Sequence, residues 1–309
     1  MPVSPNAREH LIGLIAAPFT PMDGDGDVNL PVVEKLAALF ARNGVAGAFV
    51  CGTTGEGLSL TTEERMRLAE RWVEAAQGEF AVIVHAGHAS MRETQALVAH
   101  AAGIGATAIA VLPPIYYRPA SIAELAAYLA EAASTAPSLP MYYYHIPSLS
   151  QVHVPVCDLL LAAADRAPNL AGAKYTFEDL ADYGRCVDLL RGRFDMLFGR
   201  DEMLLGALAV GGRGAVGTTY GFAAPLYLRL IEAFNASDLP AARALQAKSR
   251  EMIAIMRRHG GLPAGKAMIR LVGMDCGPCR PPLRTLSVEQ AGRLRADLEP
   301  LGFFDFCCR

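Results

Sequence analysis

Eight short apolar runs, each followed by a longer helical pattern, predict an α/β chain folded as a (β/α)8 TIM barrel with a C-terminal helical extension. The runs are nearly continuous in apolar and β-branched residues, as in parallel strands covered on both faces. The strand–helix alternation fills most of the first 222 residues, and after that point no strand run occurs. A doubly wound sheet also fits repeated βα units, since repetition alone does not prove closure.

The strand runs lie at 12–17, 47–51, 81–86, 107–112, 140–144, 170–174, 195–199 and 213–217. Helical patterns fall near 30–43, 61–77, 91–103, 121–136, 155–165, 178–191 and 201–211. Thr61 and Glu64 stand at capping-box spacing before the second helix, Ser90 precedes the third, and Ser121 with Glu124 repeats the box at the fourth. Further helices are expected near 224–235, 238–258, 263–272 and 287–300. The expected organisation is a catalytic barrel over 11–222 and a helical region packed on it over 223–303.

Composition narrows the function. A 309-residue chain with 52% hydrophobic and 19% charged residues can bury a large core. A net charge of −3, without a basic cluster, argues against nucleic acid as a partner. No apolar run is long enough to span a membrane, and residues 1–10 hold no apolar segment of the kind an export signal needs. Seven cysteines without such a signal suit reduced thiols in a cytoplasm.

Lys174 is the most informative residue. It closes the sixth strand run, and in a barrel that end faces the active site. An ordinary lysine is neutral in roughly one molecule in 2,500 at pH 7. Desolvation lowers its pKa, as a Schiff-base nucleophile requires. A surface lysine just past a strand is the plainer alternative.

Gly52-Thr53-Thr54-Gly55-Glu56-Gly57 follows the second strand run. Glycines let the backbone approach a ligand, and two hydroxyls beside exposed amides can hold a carboxylate or phosphate; a tight turn capping the next helix explains the same residues. Tyr142 and Tyr144 alternate to one face of the fifth strand and Tyr143 to the other. A phenol at the barrel mouth can relay a proton, although a tyrosine packed in the core is commoner. His145 reads as a hydrogen-bonded loop residue rather than a base. Gly199-Arg200-Asp201-Glu202 and Gly217-Thr218-Thr219-Tyr220 follow strands seven and eight. Their acids and hydroxyls suit the hydroxyls of a polyol, or simply helix caps. Tyr116, after the fourth strand, is equally ambiguous.

Three motifs mislead. Gly260 to Lys266 has phosphate-loop spacing, but Ala267 stands where a magnesium-binding hydroxyl belongs and no strand precedes it. Cys276-Gly277-Pro278-Cys279 has redox spacing but sits among late helices without a second pair for zinc. His85 and His88 lack a third ligand, so no metal is expected.

Gly52-Thr53-Thr54-Gly55-Glu56, Tyr144-His145-Ile146-Pro147, Ala173-Lys174, Gly199-Arg200-Asp201-Glu202 and Gly217-Thr218-Thr219-Tyr220 together resemble the N-acetylneuraminate lyase and dihydrodipicolinate synthase family of class I, Schiff-base aldolases. The likeness runs from about Leu11 to about Leu286. Gly52 to Leu60, Tyr142 to Pro147 and Phe198-Gly199 with Asp201-Glu202 resemble the lyase branch, especially its animal-type sequences. Synthases place a carboxylate-binding arginine where this chain has Leu149. The resemblance implies that Lys174 forms an imine with the 2-oxo acid and that Tyr144 shuttles the proton. It implies that Thr53 and Thr54 hold the carboxylate, and that Thr176, Asp201, Glu202 and Thr218 contact the sugar-derived chain with backbone support from Gly199 and Gly217. Tyr116 matches a tyrosine that reaches toward a neighbouring subunit's site, which implies a homotetramer.

The expected reaction is reversible cleavage of N-acetylneuraminate to pyruvate and N-acetylmannosamine, without an external cofactor. A protonated imine accepts the electron pair of the broken carbon–carbon bond as an enamine. Arg200 and Thr218 keep open an aldolase acting on another 2-keto-3-deoxy sugar acid; dihydrodipicolinate synthase ranks below it. A non-catalytic barrel that senses a 2-oxo acid has no need of both Lys174 and Tyr144, and a nucleotide-binding protein would have to use Gly260 to Lys266.

Overall fold

All eight strands form in chain order and close on themselves in a computed structural model that describes residues 10–309. Residues 1–9, within the segment read above as free of an export signal, lie outside the described residues. The strands are β1 (Gly13–Ala16), β2 (Gly47–Val50), β3 (Ala81–His85), β4 (Ala108–Val111), β5 (Met141–His145), β6 (Leu170–Tyr175), β7 (Asp195–Phe198) and β8 (Gly214–Gly217). β8 pairs in parallel with β1, so the barrel closes and the doubly wound alternative is excluded.

Around the barrel run α1 (Pro31–Arg42), α2 (Thr62–Ala76), α3 (Met91–Gly103), α4 (Ile122–Ser134), the short α5 (Pro147–Ser150), α6 (Val156–Ala163), α7 (Leu180–Asp188) and α8 (Leu204–Ala209). Then follow α9 (Tyr220–Asn235), α10 (Leu239–Arg258), α11 (Leu262–Leu271), α12 (Val288–Leu298) and α13 (Phe303–Phe306). α9 starts four residues before the 224 expected for it, because Pro225 lies inside it beside the non-helical Ala223 and masks the first turn in the sequence. The capping box before α2 is complete. At α4, Ser121 accepts from the Glu124 amide, but the Glu124 carboxylate takes the Ala120 amide, so only half the expected box forms.

The interior of the barrel is filled by inward side chains that include Phe49, Ile83, Tyr142, Tyr144, Leu197 and Val216. Tyr143, Ala173 and Tyr175 point outward and pack under the helices. The Tyr142/Tyr144 alternation is therefore as the sequence predicts. Met141 pairs with Leu170 and Tyr142 with Gly172, which makes Ala171 an extra residue in β6. This bulge resets the alternation in β6, and from there on Tyr144 and Lys174 are register partners. No helix of the described residues is long and apolar enough to cross a membrane.

Candidate active site

A cavity of about 260 Å³ opens at the C-terminal ends of the strands. Thr53, Thr54, Tyr144, Lys174, Thr176, Gly199, Asp201, Glu202, Gly217 and Thr218 all line it. Ten of the eleven residues to which the resemblance gives a role thus converge on one site, from five different strand ends. Tyr116 does not line it: this side chain is 78% exposed in the loop after β4 and packs edge-on against Tyr117.

Lys174 lies at the cavity floor, 5% exposed. Its ammonium sits 3.8 Å from the centroid of the Phe49 ring and 4.3 Å from that of Tyr144. Among the described residues it forms no ion pair, so only ring faces and the more distant Asp201 compensate its charge. Burial brings its pKa down to about 7, and the attraction of Asp201 opposes the shift without reversing it. About half of the molecules then carry a neutral amine at pH 7.

Tyr144 reaches Thr53 across the barrel, with the phenol oxygen 3.0 Å from Thr53 Oγ1. Burial pushes the phenol up to about 12, so at neutral pH it holds its proton and can donate it. Edge-on contacts with Phe49 and His85 fix the ring. Thr54 Oγ1 lies 2.6 Å from Thr218 Oγ1, which ties the loop after β2 to the loop after β8.

Asp201 is held from two sides. Its Oδ2 accepts from the Thr219 amide at 2.9 Å and from the Thr219 hydroxyl at 2.6 Å. Its carbonyl accepts from Gln246 Nε2 and Ser249 Oγ of α10. Burial raises its carboxyl to about 6 despite the Thr219 bonds. A Cβ at Gly217 would lie 1.9 Å from Asp201 Oδ1, and one at Gly199 would lie 2.1 Å from Thr176 Oγ1. Glycine is required at both positions because a neighbouring side chain crosses the backbone there. Gly217→Ala is therefore expected to swing the Asp201 carboxylate off Thr219 and to lower kcat/KM about 100-fold. The stability cost is smaller, about 1–3 kcal/mol. Kinetics and thermal unfolding of the same preparation check both.

At the rim, Glu202 pairs with Arg257 and lies 3.7 Å from Arg200, which also pairs with Glu178. Arg257, Ile253 and Met256 of α10, with Leu262 of α11, line the same cavity. The sequence reading missed these, because helix packing, not chain order, brings them to the barrel mouth. It also missed Phe49 beneath Lys174, which strand alternation could have placed inside the barrel.

His145 is the last residue of β5 rather than a loop residue; it is buried, and desolvation takes it down to about 4, which leaves it a weak base. His85 is buried under the site, where Nδ1 lies 3.0 Å from the Cys51 carbonyl, and burial with the nearby Arg65 charge holds it well below the usual histidine range. Cys276 and Cys279 are buried free thiols whose pKa values burial raises, unlike those of reactive cysteines.

The chain is 40% identical over 304 residues to the N-acetylneuraminate lyase of Rattus norvegicus, covering 97% of this chain and 95% of that one. It is 43% identical over 281 residues to the N-acetylneuraminate lyase of Xenopus tropicalis, covering 90% and 92%. The structure matches Proteus mirabilis N-acetylneuraminate lyase with a TM-score of 0.93 at 40% identity, over 96% of this chain and 100% of that one. With residues 10–301 also matching its sequence pattern, the chain belongs to the dihydrodipicolinate synthetase family.

Proposed function

We propose that this protein cleaves N-acetylneuraminate reversibly to pyruvate and N-acetylmannosamine through an imine on Lys174. The observation that carries this reading is the buried Lys174 amine, its pKa lowered by burial, in register with Tyr144 of the Tyr144–Thr53 pair. The names of the relatives supply the sugar.

In this reading the neutral amine attacks the ketone carbon of the 2-oxo acid, and water leaves to give a protonated imine. Removal of the proton from the C4 hydroxyl lets that carbon leave as an aldehyde, and the bond's electron pair moves onto the imine to form an enamine. Tyr144 accepts the hydroxyl proton while handing its own to the substrate carboxylate, since a free phenolate is disfavoured at this depth. The enamine takes a proton at carbon, and hydrolysis of the imine releases pyruvate and restores the amine. Thr53 and Thr54 hold the carboxylate. Thr176, Asp201, Glu202 and Thr218 meet the sugar-derived chain, with Gly199 and Gly217 giving backbone room.

The division at residues 222 and 223 is functional in this reading: the barrel supplies the chemistry, and the helical region supplies part of the mouth. α9 spans the division with a kink at the non-helical Ala223. We infer a cytoplasmic enzyme acting on small molecules, assembled as a homotetramer in which the exposed Tyr116 reaches a neighbouring site. Arg200 at the cavity rim favours a second reading, cleavage of another 2-keto-3-deoxy sugar acid. Leu149 is exposed and outside the cavity lining, so it offers no cation for a synthase's second carboxylate. Pyruvate release from N-acetylneuraminate, compared with release from acids lacking the acylated amine, tests the assignment. Faster release from the latter transfers it to the second reading.

The lysine fixes the pH dependence. Imine formation with pyruvate requires the neutral amine, so its rate is expected to rise as pH approaches about 7 and to level off above it. Single-turnover trapping with cyanoborohydride measures this. A rate still climbing beyond about pH 9 would mark an ordinary, solvated lysine.

A further inference from the structure

The two late sequence motifs left without a role meet at one buried carboxylate. Lys266, the lysine of the phosphate-loop spacing, lies in α11 with its side chain 3% exposed. Its Nζ donates to Glu56 Oε1 at 3.0 Å and to the carbonyl of Pro278, inside the Cys276–Cys279 motif, at 2.5 Å. The other carboxylate oxygen, Glu56 Oε2, accepts from the Arg280 amide at 2.7 Å. The Arg280 guanidinium goes on to Glu64 and to the carbonyls of Gly26 and Ser59. Both oxygens of a fully buried carboxylate are thus claimed by the C-terminal region.

That carboxylate belongs to the turn bearing Thr53 and Thr54. Glu56 has a φ of 55°, in the left-handed region that is costly for a non-glycine residue. Its amide donates to the Thr53 carbonyl at 3.0 Å, and Thr20 Oγ1 donates to the Gly55 carbonyl at 2.6 Å. A buried ion pair adds little net stability over apolar residues of similar volume, but it is strict about geometry. Here the geometry it fixes is that of two hydroxyls lining the cavity.

We propose that Glu56, Lys266 and the Arg280 backbone form a lock through which the helical region positions the threonine turn and so sets the affinity of the site for the 2-oxo acid carboxylate. All three are positioning groups, and the inference rests on the reading of Thr53 and Thr54 given above. It gives a task to Lys266 and to the Cys276–Arg280 segment, which bind neither nucleotide nor metal in this account.

The test uses the full-length protein with pyruvate as probe and borohydride trapping on Lys174 as readout, beside thermal unfolding. Glu56→Gln replaces one of the two acceptor oxygens with a donor facing either the Lys266 ammonium or the Arg280 amide, and Lys266→Met leaves a buried carboxylate short of its partner. Each is expected to raise the pyruvate concentration for half-maximal trapping roughly tenfold or more, with full trapping at saturation. The neutral pair E56Q/K266M leaves no unpaired buried charge, so its Tm is expected to recover toward the wild-type value while half-saturation stays raised. It also carries the test if a single variant fails to fold. A fall in Tm with half-saturation unchanged overturns the lock, and so does recovery of both quantities together in the double variant. If the wild-type protein traps no pyruvate, the reading of the site itself has failed and the lock falls with it.

Discussion

Lys174→Met is expected to abolish imine trapping and to lower lyase activity on the order of 10⁴-fold or more, because no other nucleophile stands at the cavity floor. Methionine keeps much of the side-chain volume and removes a buried ammonium that has no carboxylate within ion-pair range. The variant should therefore unfold no earlier than the wild type, which separates lost chemistry from lost structure. Lys174→Arg separates charge from nucleophilicity. Arginine keeps the charge but offers no neutral amine near pH 7, so it is expected to be as inactive as methionine. Residual activity in the arginine variant well above that of the methionine variant would mean that Lys174 contributes charge rather than a bond to carbon.

Tyr144→Phe is the second large effect. It deletes one oxygen, leaves the edge-on packing against Phe49 and His85, and frees Thr53 Oγ1 from the 3.0 Å contact. The phenol serves the proton transfers of carbon–carbon cleavage, so kcat is expected to fall about 10²- to 10⁴-fold. Lys174 still forms its imine with pyruvate at high concentration, because the amine is set by burial and not by Tyr144's proton. Trapping and turnover measured side by side decide this. A variant with kcat within about tenfold of wild type would move the relay to another group.

Much of this architecture was legible in the sequence. Apolar runs flanked by caps located the strands, and their spacing gave a barrel whose C-terminal ends had to collect Thr53, Tyr144, Lys174, Asp201 and Thr218. What remained hidden depends on registers and packing that no local pattern encodes. The bulge at Ala171 brings Lys174 opposite Tyr144, and nothing in the run Leu170 to Lys174 announces it. Arg257 and Leu262 reach the cavity only because α10 and α11 fold back over the barrel mouth. Lys266 sat in a misleading motif, since its partner Glu56 is 210 residues away in sequence. The resemblance gave Gly199 and Gly217 a backbone role in the site, but the cause, Thr176 and Asp201 crossing the space a side chain would fill, shows only in the packing.

Intact-mass spectrometry after borohydride reduction in the presence of N-acetylneuraminate, with peptide mapping of the adduct, reads imine formation and carbon–carbon cleavage in one experiment. A pyruvate-sized adduct confined to Lys174 is expected, which requires both an imine on that residue and cleavage of the sugar acid before reduction. An adduct retaining the whole sugar acid would contradict the cleavage. The absence of any adduct with both N-acetylneuraminate and pyruvate would contradict the imine itself.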